Sequence, residues 1–180
     1  MEYQFRKSAL ENEKKYSLIG DGLLIEDLKT GSQTTLNFSS VKQVHLKYLA
    51  KRSMPDAYLC FIKERSGKEW TLSSQHYAGI ADFENRDATF SPFVRAMHKQ
   101  LANHQLEYKK GLNAFIYWLS MVFFILLGLV AVGIGVAAIV PYGWFTILVA
   151  VLLFFRLRKH FKKNKPGTYD PVNIPEELLP

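Results

Sequence analysis

Two shortages constrain this chain: it has a single cysteine, and it has no charged residue between Lys110 and Arg156. With Cys60 alone, no internal disulfide is available, which suits a reducing compartment. The opening stretch MEYQFRKSALENEKK lacks an apolar core and does not read as a secretory signal. No glycine-rich phosphate-cradling loop is present, and Ser73-Ser74 lacks the glycine framing of a nucleophile elbow. The five histidines, His45, His76, His98, His104 and His160, show no i,i+4 pairing, and none lies near Cys60 in the sequence. The expectation is therefore no catalytic residue, no metal ligand set and no cofactor. Nucleic acid binding is not expected either, since the excess of +7 comes without a basic and aromatic surface pattern.

The uncharged run from 111 to 155 is made almost wholly of Leu, Val, Ile, Phe, Ala and Gly. At ~1.5 Å per residue, one helix of that length would be roughly twice the ~30 Å hydrocarbon thickness of a bilayer. A transmembrane α-helical hairpin over 111–158 is predicted, with spans of about 112–138 and 143–159 and a turn at 140–143, where Pro141, Tyr142 and Gly143 fall. Gly133 to Gly135 is the alternative turn. Tyr142 and Trp144 suit the far interface, and Tyr117 and Trp118 the near one. The second span is short, so Arg156 and Arg158 must snorkel. No ionisable residue lies inside the run, so a proton relay or ion site has no candidate there. Gly128, Ala131, Gly133 and Gly135 are candidate helix-packing positions, with Ala131 and Gly135 at small-xxx-small spacing. They serve contact between the two spans, with a second copy, or with a partner helix.

Lys109 and Lys110 precede the run, and Arg156, Arg158, Lys159, Lys162, Lys163 and Lys165 follow it, whereas the turn carries no charge. The positive-inside rule places both termini in the cytoplasm. The same cations are candidate contacts for lipid headgroups, notably Arg156, Arg158, Lys159, Lys162 and Lys163, although topology alone accounts for them.

Residues 1–110 hold 17 Lys and Arg against 13 Asp and Glu, room for one compact domain over 1–108. Short stretches of β character follow one another at 3–7, 15–19, 22–28, 34–38, 41–49, 57–63 and 69–73, most separated by turn signals such as Gly20-Asp21-Gly22 and Ser66-Gly67-Lys68. Val44, Leu46 and Tyr48 alternate with Gln43, His45 and Lys47, the pattern of an antiparallel sheet with one wet face. A closing helix over about 91–106 is expected, with Ser91 as N-cap, Pro92 at its first position and Phe93, Met97 and Leu101 on its apolar face. Between strands and helix, Asp82, Phe83 and Arg86 mark a structured loop, in which Asp82 and Arg86 pair if a helical turn forms and Phe83 anchors inward. Lys47, Lys51 and Arg52 cluster near another loop and are candidate anionic-lipid contacts. The segment 159–180 is read as a basic juxtamembrane stretch and a proline-punctuated tail. That tail is either disordered or laid back on the β domain or a partner through Ile174, Leu178 and Leu179.

Seven short strands followed by one amphipathic helix is the element order of the pleckstrin-homology fold. The stretch GDGLLIEDLKTGSQTTLNFSSVKQVHL resembles the first half of bacterial PH-like domains, with a strand pair and a Ser-Ser-Val lead into the next strand. The resemblance, at pattern level over 1–105, implies an α+β chain with a PH-like antiparallel half-barrel closed by a C-terminal helix, and a bacterial inner membrane location. It does not imply inositol lipid binding, because KKYSLIGDGLLIEDLK lacks the Lys and Lys-x-Arg pattern of phosphoinositide-binding members. The functional expectation is a non-catalytic, membrane-anchored PH-like module presenting a cytoplasmic surface to a protein or to lipid. The alternatives are an accessory subunit of a larger inner-membrane complex and, remotely, a small lipid-modifying enzyme. Partners are then the bilayer, a membrane or cytoplasmic protein, or a second copy of the chain.

Overall fold

Alternation of apolar and polar side chains lays down β1 (Glu2–Phe5), β2 (Lys14–Ile19), β3 (Gly22–Asp27), β4 (Gln33–Asn37), β5 (Val41–Leu49), β6 (Ala57–Glu64) and β7 (Glu69–Ser73). The computed structural model describes residues 1–49, 56–80, 82–137 and 143–180. The chain is α+β with mostly antiparallel sheets. It divides into one unit of Met1–Lys110 with Gly167–Pro180 and a second of Gly111–Pro166.

In the first unit, β1 to β4 form an antiparallel meander in sequence order, and β5 to β7 form another. The second meander is extended at one edge by β10 (Glu107–Lys110) and β11 (Gly167–Thr168), giving the order β11-β10-β5-β6-β7. β10 runs parallel to β5, with Tyr108 opposite Val44 and Lys110 opposite Leu46, so the expected antiparallel sheet carries one parallel pair at this edge. A helix lies between the two strands in sequence, which makes a parallel pairing sterically possible. Tyr3, Phe5, Tyr16, Leu23 and Ile25 of the first sheet and Val44, Leu46, Cys60, Ile62 and Leu72 of the second are buried in one core.

The expected loop with a helical turn at Asp82 to Arg86 is instead a β-hairpin, β8 (Gln75–Gly79) and β9 (Asp82–Asn85), with Tyr77 opposite Phe83. Helix α1 (Asp87–Leu101) begins before Ser91 and ends before residue 106, correcting both expected bounds. The start is set by Asn85, whose Oδ1 accepts the Asp87 amide at 2.7 Å, and by Arg86, whose carbonyl accepts the Thr89 and Phe90 amides at 3.1 and 2.9 Å. Ser91 and Pro92 thus lie inside the helix. Pro92 there forgoes one backbone bond, to the carbonyl of Ala88. Phe90, Phe93, Val94, Met97 and Leu101 are wholly buried, and Tyr3 meets the rings of Phe90 and Phe93 at 5.7 and 5.5 Å.

The tail belongs to this unit. β11 pairs with β10 through Lys109 to Thr168 and Lys110 to Gly167, Lys110 makes an ion pair with Glu177 at 3.3 Å, and Ile174, Leu178 and Leu179 join the core. The basic stretch expected with the tail lies elsewhere, in α3 below.

The second unit is a pair of helices, α2 (Ala114–Ala137) and α3 (Gly143–Lys163). Asn113 caps α2, its Oδ1 accepting the Phe115 amide at 2.9 Å. The helix continues without a break through Gly133 and Gly135, which removes that alternative turn; Pro141 and Tyr142 lie outside the described residues. The pair is antiparallel. The Leu112 amide donates to the Asn164 carbonyl at 3.0 Å, and the Phe161 ring meets those of Tyr117 and Phe124 at 5.5 and 6.0 Å. Within α2, the stretch Ala114–Gly133 is long and apolar enough to cross a membrane.

Candidate functional site

The basic end of α3 is the densest charge in the chain. Arg156, Arg158, Lys159, Lys162 and Lys163 all fall in its last turns, and no Asp or Glu occurs anywhere between Glu107 and Asp170. Arg158 and Lys162 are exposed. They stand at i,i+4, a spacing at which like charges repel. Among the described residues neither takes part in an ion pair. The unit itself holds no Asp or Glu to oppose this cluster.

Two of the small-residue positions of α2 face no described neighbour. A Cβ added at Gly128 or Gly133 meets no described atom within 4 Å, and Ala131 between them is half-buried. Gly135 lies in the same helix. Gly111 behaves differently. Its φ is +76°, and a Cβ there would stand 2.4 Å from the Lys165 carbonyl oxygen and 2.5 Å from that of Asn164, so glycine is required where the two helix ends cross.

In the β unit, Lys47 lies on the outer face of β5 with its Nζ 4.9 Å from the centre of the Phe61 ring, a cation–π contact. Its expected companions Lys51 and Arg52 lie outside the described residues. Of the loop trio, Asp82 is exposed and Phe83 is half-buried edge-on to Tyr77 at 5.5 Å. Arg86 pairs elsewhere than with Asp82: it donates to the Gln4 carbonyl at 2.8 Å and lies 3.4 Å from Glu84 and 3.8 Å from Glu13. The strand conformation of β9 sends Asp82 away from Arg86, which is the physical reason the expected pair does not form.

Beside this hairpin a cleft of about 430 Å³ is lined by Arg6, Asn12, Glu13, Lys29, His76 and Tyr77, among others. Arg6 spans its wall, stacked on Tyr77 at 5.3 Å and donating to the carbonyls of Ser8, Ala9 and Glu11. His76 Nδ1 accepts the Arg6 amide at 3.1 Å, so its proton resides on Nε2. Burial, and then Arg86, hold its imidazole below the usual range, so its 3.8 Å approach to Glu13 is not a charge pair at neutral pH. The cleft's guanidinium and imidazole are committed to the protein's own backbone. A second cleft of about 720 Å³ lies among Lys42, Arg65, Gln105, Leu106 and Glu107.

Sequence reasoning missed a buried polar cluster. His98 of α1 is 0 % exposed, with Nδ1 2.7 Å from the Val94 carbonyl and Nε2 2.7 Å from the Tyr169 hydroxyl. A carbonyl only accepts, so Nδ1 carries the proton and Nε2 accepts from Tyr169. Burial pulls His98 down to about 4, and burial likewise raises Tyr169 and Cys60. Tyr108 packs 5.9 Å from His98 and 5.7 Å from Tyr169, its hydroxyl pushed up to about 12 by burial and without a partner among the described residues. A neutral imidazole with both nitrogens occupied offers no lone pair to a substrate. The cluster ties α1, β10 and the tail together. Its only sequence signal was the short alternation of Leu106 and Tyr108 with Glu107 and Lys109, and a tyrosine just past each outer end of the helical unit. Among the described residues no group of three or more His, Cys, Asp or Glu side chains is placed to hold a metal. No family model matches the chain, and no curated protein matches it.

Proposed function

We propose that this chain is a non-catalytic membrane-anchored module, with α2 and α3 crossing the bilayer as a two-span hairpin and the PH-like β unit presented in the cytoplasm as an interaction surface for a protein or the membrane. One observation carries the reading. The chain leaves the β unit at Lys110 and returns at Gly167, and these two residues are paired neighbours on β10 and β11. An insertion that returns beside its point of departure crosses a bilayer an even number of times, and two helices supply two crossings. The cations at both outer ends, Lys109 and Lys110 before and the α3 cluster after, support a cytoplasmic placement of both termini. The element order supports the PH-like reading: a four-strand meander, a three-strand meander and, after the β8–β9 hairpin, a helix whose apolar face is buried. The non-catalytic reading is supported by the commitment of the most chemically capable groups, Cys60, His98 and Arg6, to packing and internal hydrogen bonds.

Alkaline carbonate washing of native membranes tests the anchor. The full chain stays with the membrane pellet and is released by detergent; release into the carbonate supernatant would contradict the reading. A second reading, an accessory subunit of a larger membrane complex, is favoured by the open space at Gly128 and Gly133. On that reading a membrane partner co-purifies at equal stoichiometry in mild detergent and is lost from the G128L/G133L variant. Co-purification that survives the variant contradicts contact at these two positions.

A further inference from the structure

The register of the helix pair sets the α3 cations against apolar residues of α2. The Leu112 to Asn164 backbone bond and the Phe161 contacts with Tyr117 and Phe124 align the helices. At ~1.5 Å per residue, that alignment puts Lys162 roughly level with Trp118 and Arg158 roughly level with Val122, about 12 Å past the first residue of α2. At ~100° per residue from the facing positions Tyr117 and Phe161, Arg158 and Lys162 of α3 and Trp118, Val122 and Ile125 of α2 fall on one flank of the pair. Trp118, Val122 and Ile125 are 58 %, 50 % and 53 % exposed, so bare hydrocarbon and unpaired cations share one flank and one depth. A purely apolar neighbour leaves the two like charges at i,i+4 unopposed, and bulk water at that level leaves the three apolar side chains wet. A molecule with an anionic head and a hydrocarbon body satisfies both.

We propose that Arg158 and Lys162, with Trp118, Val122 and Ile125, form a site for an anionic phospholipid of the surrounding bilayer. The phosphate accepts from the guanidinium and the ammonium, drawing the headgroup below the mean membrane surface, and an acyl chain lies along the three α2 side chains. This places the cytoplasmic limit of the hydrocarbon near the second turn of α2 and explains how α3, apolar only from Gly143 to Phe155, shares a bilayer with a longer α2. The inference rests on the membrane-hairpin reading.

The test uses the full chain carrying W70F and W144F, which leaves Trp118 as the only tryptophan, reconstituted in vesicles of equal parts phosphatidylcholine and phosphatidylglycerol. Bromine is placed on the acyl chains of one lipid or the other. Trp118 emission is expected to be quenched by both lipids, with a preference of about threefold for brominated phosphatidylglycerol. The preference is expected to vanish in R158Q/K162Q and to persist in K163Q, whose position, ~200° on from Phe161, falls on the back of α3 and outside that flank. Equal quenching by the two lipids overturns the site while leaving the hairpin in place. Equal loss of preference in K163Q also overturns it, in favour of a diffuse cationic belt. Absence of quenching by either lipid removes the hairpin reading and the site with it.

Discussion

A buried histidine whose two nitrogens are both engaged is a fixed structural part, and His98 is the clearest case in this chain. Tyr169→Phe leaves Nε2 buried without its donor and is expected to cost about 1–3 kcal/mol, read as a lower urea midpoint by Trp70 fluorescence. His98 also gives the β unit a pH dependence. Its folded value of about 4 lies below the ordinary 6.5, so between those values the unfolded chain binds a proton that the folded chain refuses. The His98 contribution is therefore flat above about pH 6.5 and destabilises as pH drops toward 4, on the order of 3 kcal/mol across the window. The half-buried His76, also depressed, adds a loss of the same sign. Urea midpoints measured across that window in the parent chain and in His98→Asn check this: the slope shrinks in the variant, and an unchanged slope contradicts the assignment. None of this was legible in the sequence, where His98 and Tyr169 stand far apart and only the fold of the tail brings them together.

At the level of elements, β1 to β7 were readable because each runs for several residues with a two-residue period and most are bounded by turn residues. β8 and β9 were not, because QHYAG and DFEN are polar, short and scarcely alternate, and their pairing is with each other rather than with a main sheet. The start of α1 was misplaced because Ser91-Pro92 is a strong local signal, yet the Asn85 side chain and the Arg86 carbonyl begin the first turn earlier. β10 was passed over because four residues are too few for their alternation to stand out and its partner is a distant parallel strand, and β11 because two residues leave no local pattern. The tail holds the core with Leu178, which is 1 % exposed. Leu178→Ala is expected to cost about 2–5 kcal/mol, measured by urea unfolding, and to make residues 167–180 susceptible to limited proteolysis. At the other unit, Gly111→Ala forces a Cβ into two carbonyl oxygens at a positive φ and is expected to destabilise the joined helix ends by at least ~2 kcal/mol. Faster hydrogen exchange at the Leu112 amide, which bonds Asn164, checks it; unchanged protection contradicts the close approach.

At the scale of the whole molecule, the uncharged run dominated the sequence and fixed where helices must lie, while the return of the chain to β10 supplied what the run alone did not. Lys110 and Gly167 side by side turn a hydrophobic stretch into an insertion with one point of departure, and that parity underlies our proposal that both termini lie on one face of the bilayer. The candidate surfaces divide accordingly: the Gly128 and Gly133 positions for another helix, the Arg158 and Lys162 flank for lipid. The most direct measurement is labelling with a membrane-impermeant maleimide in intact cells, using Leu10→Cys and Val172→Cys, whose parent side chains are 98 % and 63 % exposed and lie before and after the helical unit. Cys60, 0 % exposed, stays silent in both. The account predicts no labelling of either position until the membrane is permeabilised, and full labelling of both afterwards; labelling of either position in intact cells would contradict it.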